Sequence, residues 1–225
     1  MSDHTERLIH IIVESFLPLL KAGVYFTIPL TLISFALGLS LALLTALIQL
    51  SDWKLLRSLA RFYVWVIRGT PLIVQLFIIF YGLPNVGITI DAFPAAVIGF
   101  TLSVGAYGSE IIRAAILSTP KGQWEAAYSI GMTKAQALRR VILPQAARVS
   151  VPPLSNSFIS LVKDTSLAFV VTVTEMFAKA QQITALYYEP LVLYSEVAVI
   201  YLLFTSVLSY FQRRLEKRFD RYTAR

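Results

Sequence analysis

Glu125-Ala126-Ala127-Tyr128-Ser129-Ile130-Gly131-Met132-Thr133, running on to Val141-Ile142-Leu143-Pro144, is a polar interruption between long hydrophobic segments. Just before it, Thr119 offers a side-chain oxygen to cap a helix, and Pro120 suits a first helical position, where a missing N–H costs nothing. Gly131 fits the left-handed residue that ends such a helix. Thr133, with Gln136 three residues on, has the spacing of a capping box that starts a second helix. Pro144 is expected to close it. The reading is a short helix, a sharp turn and another helix over residues 119–148. Ala126 and Ala127 are small enough to admit another surface closely, and Glu125 is free to cap or to meet a basic group.

What surrounds the insert decides the fold class. The chain has 225 residues, 56% hydrophobic and 15% charged, with a mean hydropathy of +0.67. Soluble domains carry about a quarter charged residues. Residues 22–50 contain no charge at all, and about 20 apolar residues suffice to cross a bilayer. Five spans are expected, near residues 22–48, 62–83, 93–117, 152–173 and 191–211. A short polar loop with Lys179, Gln181, Gln182 and Glu189 is expected between the last two. Leu8, Ile11, Ile12 and Phe16 recur at helical spacing among Asp3, Glu6, Arg7 and Glu14, which predicts an amphipathic helix on the membrane surface. The mixed polar start shows no cleavable signal peptide. The expected class is an all-α membrane protein, one domain over residues 1–225 with the insert inside it.

Composition also excludes functions. There is no cysteine, so disulfides and thiolate metal sites are absent. The two histidines, His4 and His10, both lie near the start, which leaves no metal cluster and no catalytic triad. The net charge of +7 sits between spans and at the end: Lys54, Arg57 and Arg61, then Lys121, Lys134, Arg139, Arg140 and Arg148, then Arg213, Arg214, Lys217, Arg218, Arg221 and Arg225. That is the cytoplasmic bias of membrane proteins, not a nucleic-acid face. It places the insert and the C-terminus inside and, with five spans, the N-terminus outside.

Glu-Ala-Ala, three residues, Gly, nine residues, a β-branched residue, one residue, Leu-Pro resembles the EAA loop of bacterial ABC importer permeases. It matches at Glu125, Ala126, Ala127, Gly131, Leu143 and Pro144, with Val141 where that family usually has Ile. The run Arg68-Gly69-Thr70-Pro71-Leu72 with Gln75-Leu76-Phe77, and Leu161-Val162-Lys163-Asp164-Thr165-Ser166-Leu167, are similar to the branch that takes up polar amino acids. Lys121-Gly122-Gln123-Trp124 and Pro144-Gln145-Ala146-Ala147-Arg148, continuing to Pro152-Pro153-Leu154-Ser155-Asn156-Ser157-Phe158, are similar to L-cystine permeases. The resemblance implies a type I ABC importer permease whose insert couples to an ATPase. It implies two ATPase subunits carrying ATP and magnesium, a second permease subunit in a homo- or heterodimer, and an extracytoplasmic solute-binding protein. It also implies a bacterial inner membrane and no cofactor in this chain. The chain has no Gly-x-x-x-x-Gly-Lys-Ser/Thr loop of its own to cradle ATP.

Charges inside spans mark the candidate path. A Lys or Asp at a helix centre costs about 2.5–3.5 kcal/mol on insertion scales. Asn156, Ser160, Lys163 and Asp164 share one broad helical face. Two readings stay open for Lys163 and Asp164: contact with substrate, or pairing with Arg68 or Glu110 to hold the bundle. Arg68, Gly69 and Thr70, before Pro71, interrupt span two and expose backbone groups, as in other transporters. Tyr107 fits packing better than contact with substrate. The resemblance implies that relatives carrying cationic amino acids often have Glu after the span-four Asn. Ser157 stands there, which favours a zwitterion such as cystine and leaves glutamine, histidine and glutamate open. The competing class is an ion-coupled carrier using Lys163 and Asp164, which would not need the insert. A membrane-embedded enzyme lacks any clustered nucleophile and base.

Overall fold

A computed structural model describes residues 3–220 and is helical throughout, with no strand among the described residues. In order the helices are α1 Asp3–Ala22, α2 Ile28–Gln49, α3 Lys54–Gly69, α4 Leu72–Phe77, α5 Ala92–Leu117, α6 Lys121–Ser129, α7 Lys134–Ala137, α8 Leu143–Asp164, α9 Met176–Tyr187 and α10 Pro190–Asp220. Three unbroken stretches are long and apolar enough to cross a membrane: His4–Gln49, Ala92–Leu117 and Pro190–Glu216. Two more qualify when helices are joined across a break, Lys54–Gly69 with Leu72–Val86 and Lys134–Val171 with Met176–Tyr187.

Three π-helical turns interrupt the helices, and each ends two positions before a proline. Gly23–Thr27 precedes Pro29, Ile78–Gly82 precedes Pro84 and Leu138–Ile142 precedes Pro144, with one capping residue between in each case. The cap amides of Ile28, Leu83 and Leu143 each donate five residues back, to Gly23, Ile78 and Leu138. A proline inside an α-helix lacks its donor and clashes with the carbonyl four residues back. Widening the turn by one residue relieves that conflict without ending the helix. Pro144 therefore does not close the second helix of the insert. The chain winds on from α7 through the π turn into α8.

The chain divides into two compact units. The first comprises the described residues up to Phe35, with Pro71–Phe100 and Phe158–Tyr210. Its core joins α1, α9 and α10 through Ile11, Leu19, Met176, Ala180, Ile183, Leu193, Val197 and Ile200. The N-terminal helix is thus not a separate surface helix. It runs straight on through a π turn into α2, with Ile11, Ser15 and Leu19 turned inward. Ser15 donates to the Glu196 carboxylate at 2.5 Å, and Tyr187 donates to Glu14 at 2.8 Å. The expected polar loop after span four is likewise a helix, α9. The fully buried Glu175 caps it by accepting from the amides of Phe177 (2.9 Å) and Ala178 (2.7 Å), and Tyr201 donates to the same carboxylate at 2.7 Å.

The second unit comprises Ala36–Thr70, Thr101–Ser157 and the described residues from Phe211 on. Its core gathers Ala42, Ala46, Ile112, Ala115, Ile116, Ile142 and Ala146, with Trp124, Leu143 and Leu154 against it. Helices α2 and α5 approach through glycines, as helices do in lipid. A methyl group at Gly38 would sit 2.6 Å from Val104, and one at Gly105 would sit 2.7 Å from both Leu41 and the Tyr63 hydroxyl. That hydroxyl donates to the Leu102 carbonyl at 2.7 Å. In the basic tail, Arg213 and Arg214 are exposed on α10. Arg221 and Arg225 lie outside the described residues, as do the side chains of Lys217 and Arg218.

Candidate functional site

The insert is built from its turn outward. Gly131 has φ +77°, the left-handed region. The Gly131 amide donates to Tyr128 O at 2.9 Å and the Met132 amide to Ala127 O at 3.1 Å. Those two bonds define a Schellman motif, which needs the glycine. Next, Thr133 accepts from the Gln136 amide at 3.3 Å while the Thr133 amide donates to Gln136 Oε1 at 2.9 Å, closing the capping box. The first cap differs from expectation. Pro120, extended at ψ 138°, precedes α6, and Thr119 makes no cap. The amide of Thr119 instead donates to Ile116 O at 3.3 Å. A residue before proline is biased away from the α region.

The insert is held down at three places. Trp124 rests on the core of the second unit. Gln145 Nε2 donates to Gln123 Oε1 at 3.1 Å. Lys134 Nζ pairs with Asp52 at 2.7 Å, and that ammonium holds the Asp52 carboxyl below the usual carboxylate range. These anchors sort the motif residues. Glu125, Ala126, Gly131 and Pro144 are exposed, while Ala127 is buried and Leu143 packs on the core. Only Ala126 of the two alanines faces outward, so Ala127 serves packing. The Glu125 side chain has no partner among the described residues, and Tyr128 and Ile130 flank it, exposed.

The path residues fall into groups. In the second unit, Arg68 lies 3.8 Å from Glu110 and 5.3 Å from the centre of the Tyr107 ring, a cation–π distance. Glu110 receives two bonds from Arg113, at 3.2 and 2.7 Å. Arg68 and Glu110 thus pair with each other, where span-four charges had been considered as their partners. Gly69 is exposed, and Thr70 donates to Val66 O at 2.9 Å. Asn156 Oδ1 accepts from Gln212 at 2.8 Å, and Ser157 donates to Pro153 O at 3.0 Å. In the first unit, Ser160, Lys163 and Asp164 are exposed on α8. Lys163 and Asp164 stand at its last turn, before a 3₁₀ segment Thr165–Val171, rather than mid-helix. Neither makes a hydrogen bond or ion pair among the described residues. No cluster of His, Asp or Glu among the described residues is arranged to hold a metal.

Residues the sequence did not single out include Glu175, Gln212 and Arg113. Only Arg113 left a trace, because Glu110 and Arg113 stand three apart, where helical side chains meet.

Comparison with known proteins bears on this geometry. Residues 36–221 match the family described as binding-protein-dependent transport system inner membrane component. The chain is 58% identical over 213 residues to the L-cystine transport system permease protein TcyB of Bacillus subtilis (strain 168), covering 94% of this chain and 91% of that protein. It is 40% identical over 204 residues to the glutamine transport system permease protein GlnP of Escherichia coli (strain K12), covering 90% and 93%. A solved amino acid ABC transporter with histidines superposes with a TM-score of 0.82 at 34% identity, over 97% of this chain and 99% of that chain. The all-α architecture is the type I ABC importer permease fold. The chain belongs to the binding-protein-dependent transport system inner membrane components, permease subunits of ABC importers that are not themselves enzymes and leave ATP hydrolysis to a separate chain.

Proposed function

We propose that this chain forms the membrane path of an ATP-driven importer for a polar amino acid, with L-cystine as the substrate. The observation that carries the reading is the outward face of α6, where Glu125 and Ala126 stand exposed and unpartnered beside the Gly131 turn. That face fits a groove on an ATPase subunit, with residues 119–148 as the coupling element. Glu125, Ala126 and Gly131 meet the partner, while Ala127, Leu143 and Pro144 hold the element in shape. Two ATPase subunits bind ATP and magnesium. Their closure draws on the insert, and the π turn before Pro144 passes that motion into α8. A second permease subunit completes the cavity, and an extracytoplasmic binding protein delivers the substrate. Five spans, with the N-terminus outside and the C-terminus in the cytoplasm of a bacterial cell, agree with the Lys and Arg bias.

Cystine is favoured by the 58% identity to the L-cystine permease TcyB and by Ser157, which offers no carboxylate to a cationic side chain. The candidate path comprises Arg68, Gly69, Thr70, Asn156, Ser157, Ser160, Lys163 and Asp164. Of these, Ser160, Lys163 and Asp164 keep free polar ends for a zwitterion. Glutamine is the second reading, because GlnP is 40% identical. Binding of radiolabelled amino acids to the partner solute-binding protein, followed by uptake through the assembled transporter, separates the two. Tight binding and uptake of cystine are expected. Binding of glutamine with none of cystine overturns the substrate.

A further inference from the structure

In the second unit, a cavity of about 460 Å³ opens among the end of α2, the start of α3 and the last turns of α5. Its lining carries Arg57, Arg61 and Arg113 against one carboxylate, Glu110. That carboxylate is already engaged by Arg113 through two bonds, and by Arg68. Arg57 donates only a long bond of 3.5 Å, to Ser51 O, and Arg61 has no carboxylate partner among the described residues. The cavity therefore holds Arg61 without a counter-ion, and Arg57 within reach only of Asp52, a carboxylate that Lys134 already engages at 2.7 Å. Guanidinium groups match phosphate oxygens in fork geometry.

The flank of α3 adds a second observation. At 3.6 residues per turn, Arg57, Arg61 and Arg68 fall within about 40° of one another, and Trp65 and Phe62 follow about 40° and 100° further round. Trp65 is 71% exposed and Phe62 61%. A basic recess thus borders an outward apolar flank at the level of the basic loops, where anionic headgroups collect. We propose that this recess binds a phosphate-type anion, supplied either by an anionic phospholipid headgroup or as free phosphate. The inference does not rest on which amino acid is carried.

The test uses the assembled transporter in nanodiscs of phosphatidylcholine alone or with added phosphatidylglycerol. Retained phosphatidylglycerol is read by native mass spectrometry, and thermal unfolding is followed in parallel. We expect R57Q/R61Q to lose retention about tenfold, as loss of two charge-assisted contacts implies, and to lose the rise in unfolding temperature that phosphatidylglycerol gives the wild type. Its unfolding temperature in phosphatidylcholine alone should match the wild type, which separates lost binding from misfolding. R213Q/R214Q removes the same charge elsewhere and should retain the lipid. If inorganic phosphate raises the wild-type unfolding temperature in phosphatidylcholine while phosphatidylglycerol is not retained, the source is free phosphate. Retention by R57Q/R61Q equal to the wild type, or no response of the wild type to either anion, overturns the proposal.

Discussion

The insert and the cluster around Glu110 lie in the same unit and handle their polar groups in opposite ways. At Glu110, one carboxylate is shared by Arg113 and Arg68, and Gln49 lines the same recess. On α6, the Glu125 carboxylate meets nothing among the described residues. A helix of nine residues, Lys121–Ser129, is too short to be stable alone. Its order comes from Trp124 on the core, the Schellman turn, the capping box and the Lys134–Asp52 pair. Those devices use inward and terminal groups and leave the outer face free. An element that only linked two spans would have no need of so much local order around an unsatisfied surface. Charge in this chain thus stands in two settings, closed within the fold at Glu110 and left open on the surface at Glu125.

The insert is most vulnerable at Gly131. A β-branched residue at φ +77° is strained by roughly 1–2 kcal/mol, and the strain falls on the turn that aims the exposed face. Gly131→Val should reduce ATP-driven uptake to background while the permease still inserts and unfolds near its normal temperature. Glu125→Gln should act in the same direction, more weakly. Wild-type uptake by Gly131→Val would remove the insert from the coupling path.

At Glu110 the opposite profile is expected. Glu110→Gln leaves Arg113 and Arg68 without their counter-ion in a half-buried setting, which should cost about 2 kcal/mol of stability. Thermal unfolding in detergent reads the loss, and a cycle with Arg113→Gln should show coupling between the two residues. Independent, additive effects would mean that the pair contributes no closure.

Pro144 stands where the insert passes into α8. Pro144→Ala removes the reason for the π turn Leu138–Ile142. Relaxation to an α ladder would rotate the insert about 100° relative to α8. Uptake should fall roughly threefold to fivefold, about 1 kcal/mol of coupling, with unfolding temperature unchanged or raised. Unaltered uptake together with a relaxed ladder, read by amide exchange at Leu143, would show that the phase of the insert does not matter.

The features legible in the sequence are those set by neighbours along the chain. Hydropathy gave α5 almost to the residue, and the Thr133–Gln136 spacing and Gly131 gave the turn of the insert. Helix α9 was hidden because Lys179, Gln181 and Gln182 make it look like a loop. Its start depends on a fully buried carboxylate, Glu175, whose third partner, Tyr201, lies 26 residues away. The pairing of Arg68 with Glu110 was invisible for the same reason, since it joins separate helices 42 positions apart in sequence. Pro144 misled because proline usually ends a helix, and the preceding π turn lets this one continue.

The smallest effect belongs to Asp52, whose pair with Lys134 ties α7 to the loop before α3 on the exposed surface. Such pairs contribute little. Asp52→Asn should therefore lower uptake by no more than about twofold. The sign with pH follows from the depressed carboxyl. Its folded value lies below the unfolded one near 4, so the contribution is complete above about pH 5 and is lost as pH falls through the lower, folded value. Uptake measured between pH 7 and pH 5 should show no difference in slope between Asp52→Asn and the wild type. Only in more acid buffer should the wild type converge on the variant. A gap that opens between pH 7 and pH 5 would mean that a group other than Asp52 governs the anchoring of the insert, and that the exposed face of α6 is held by something besides the three contacts that fix it.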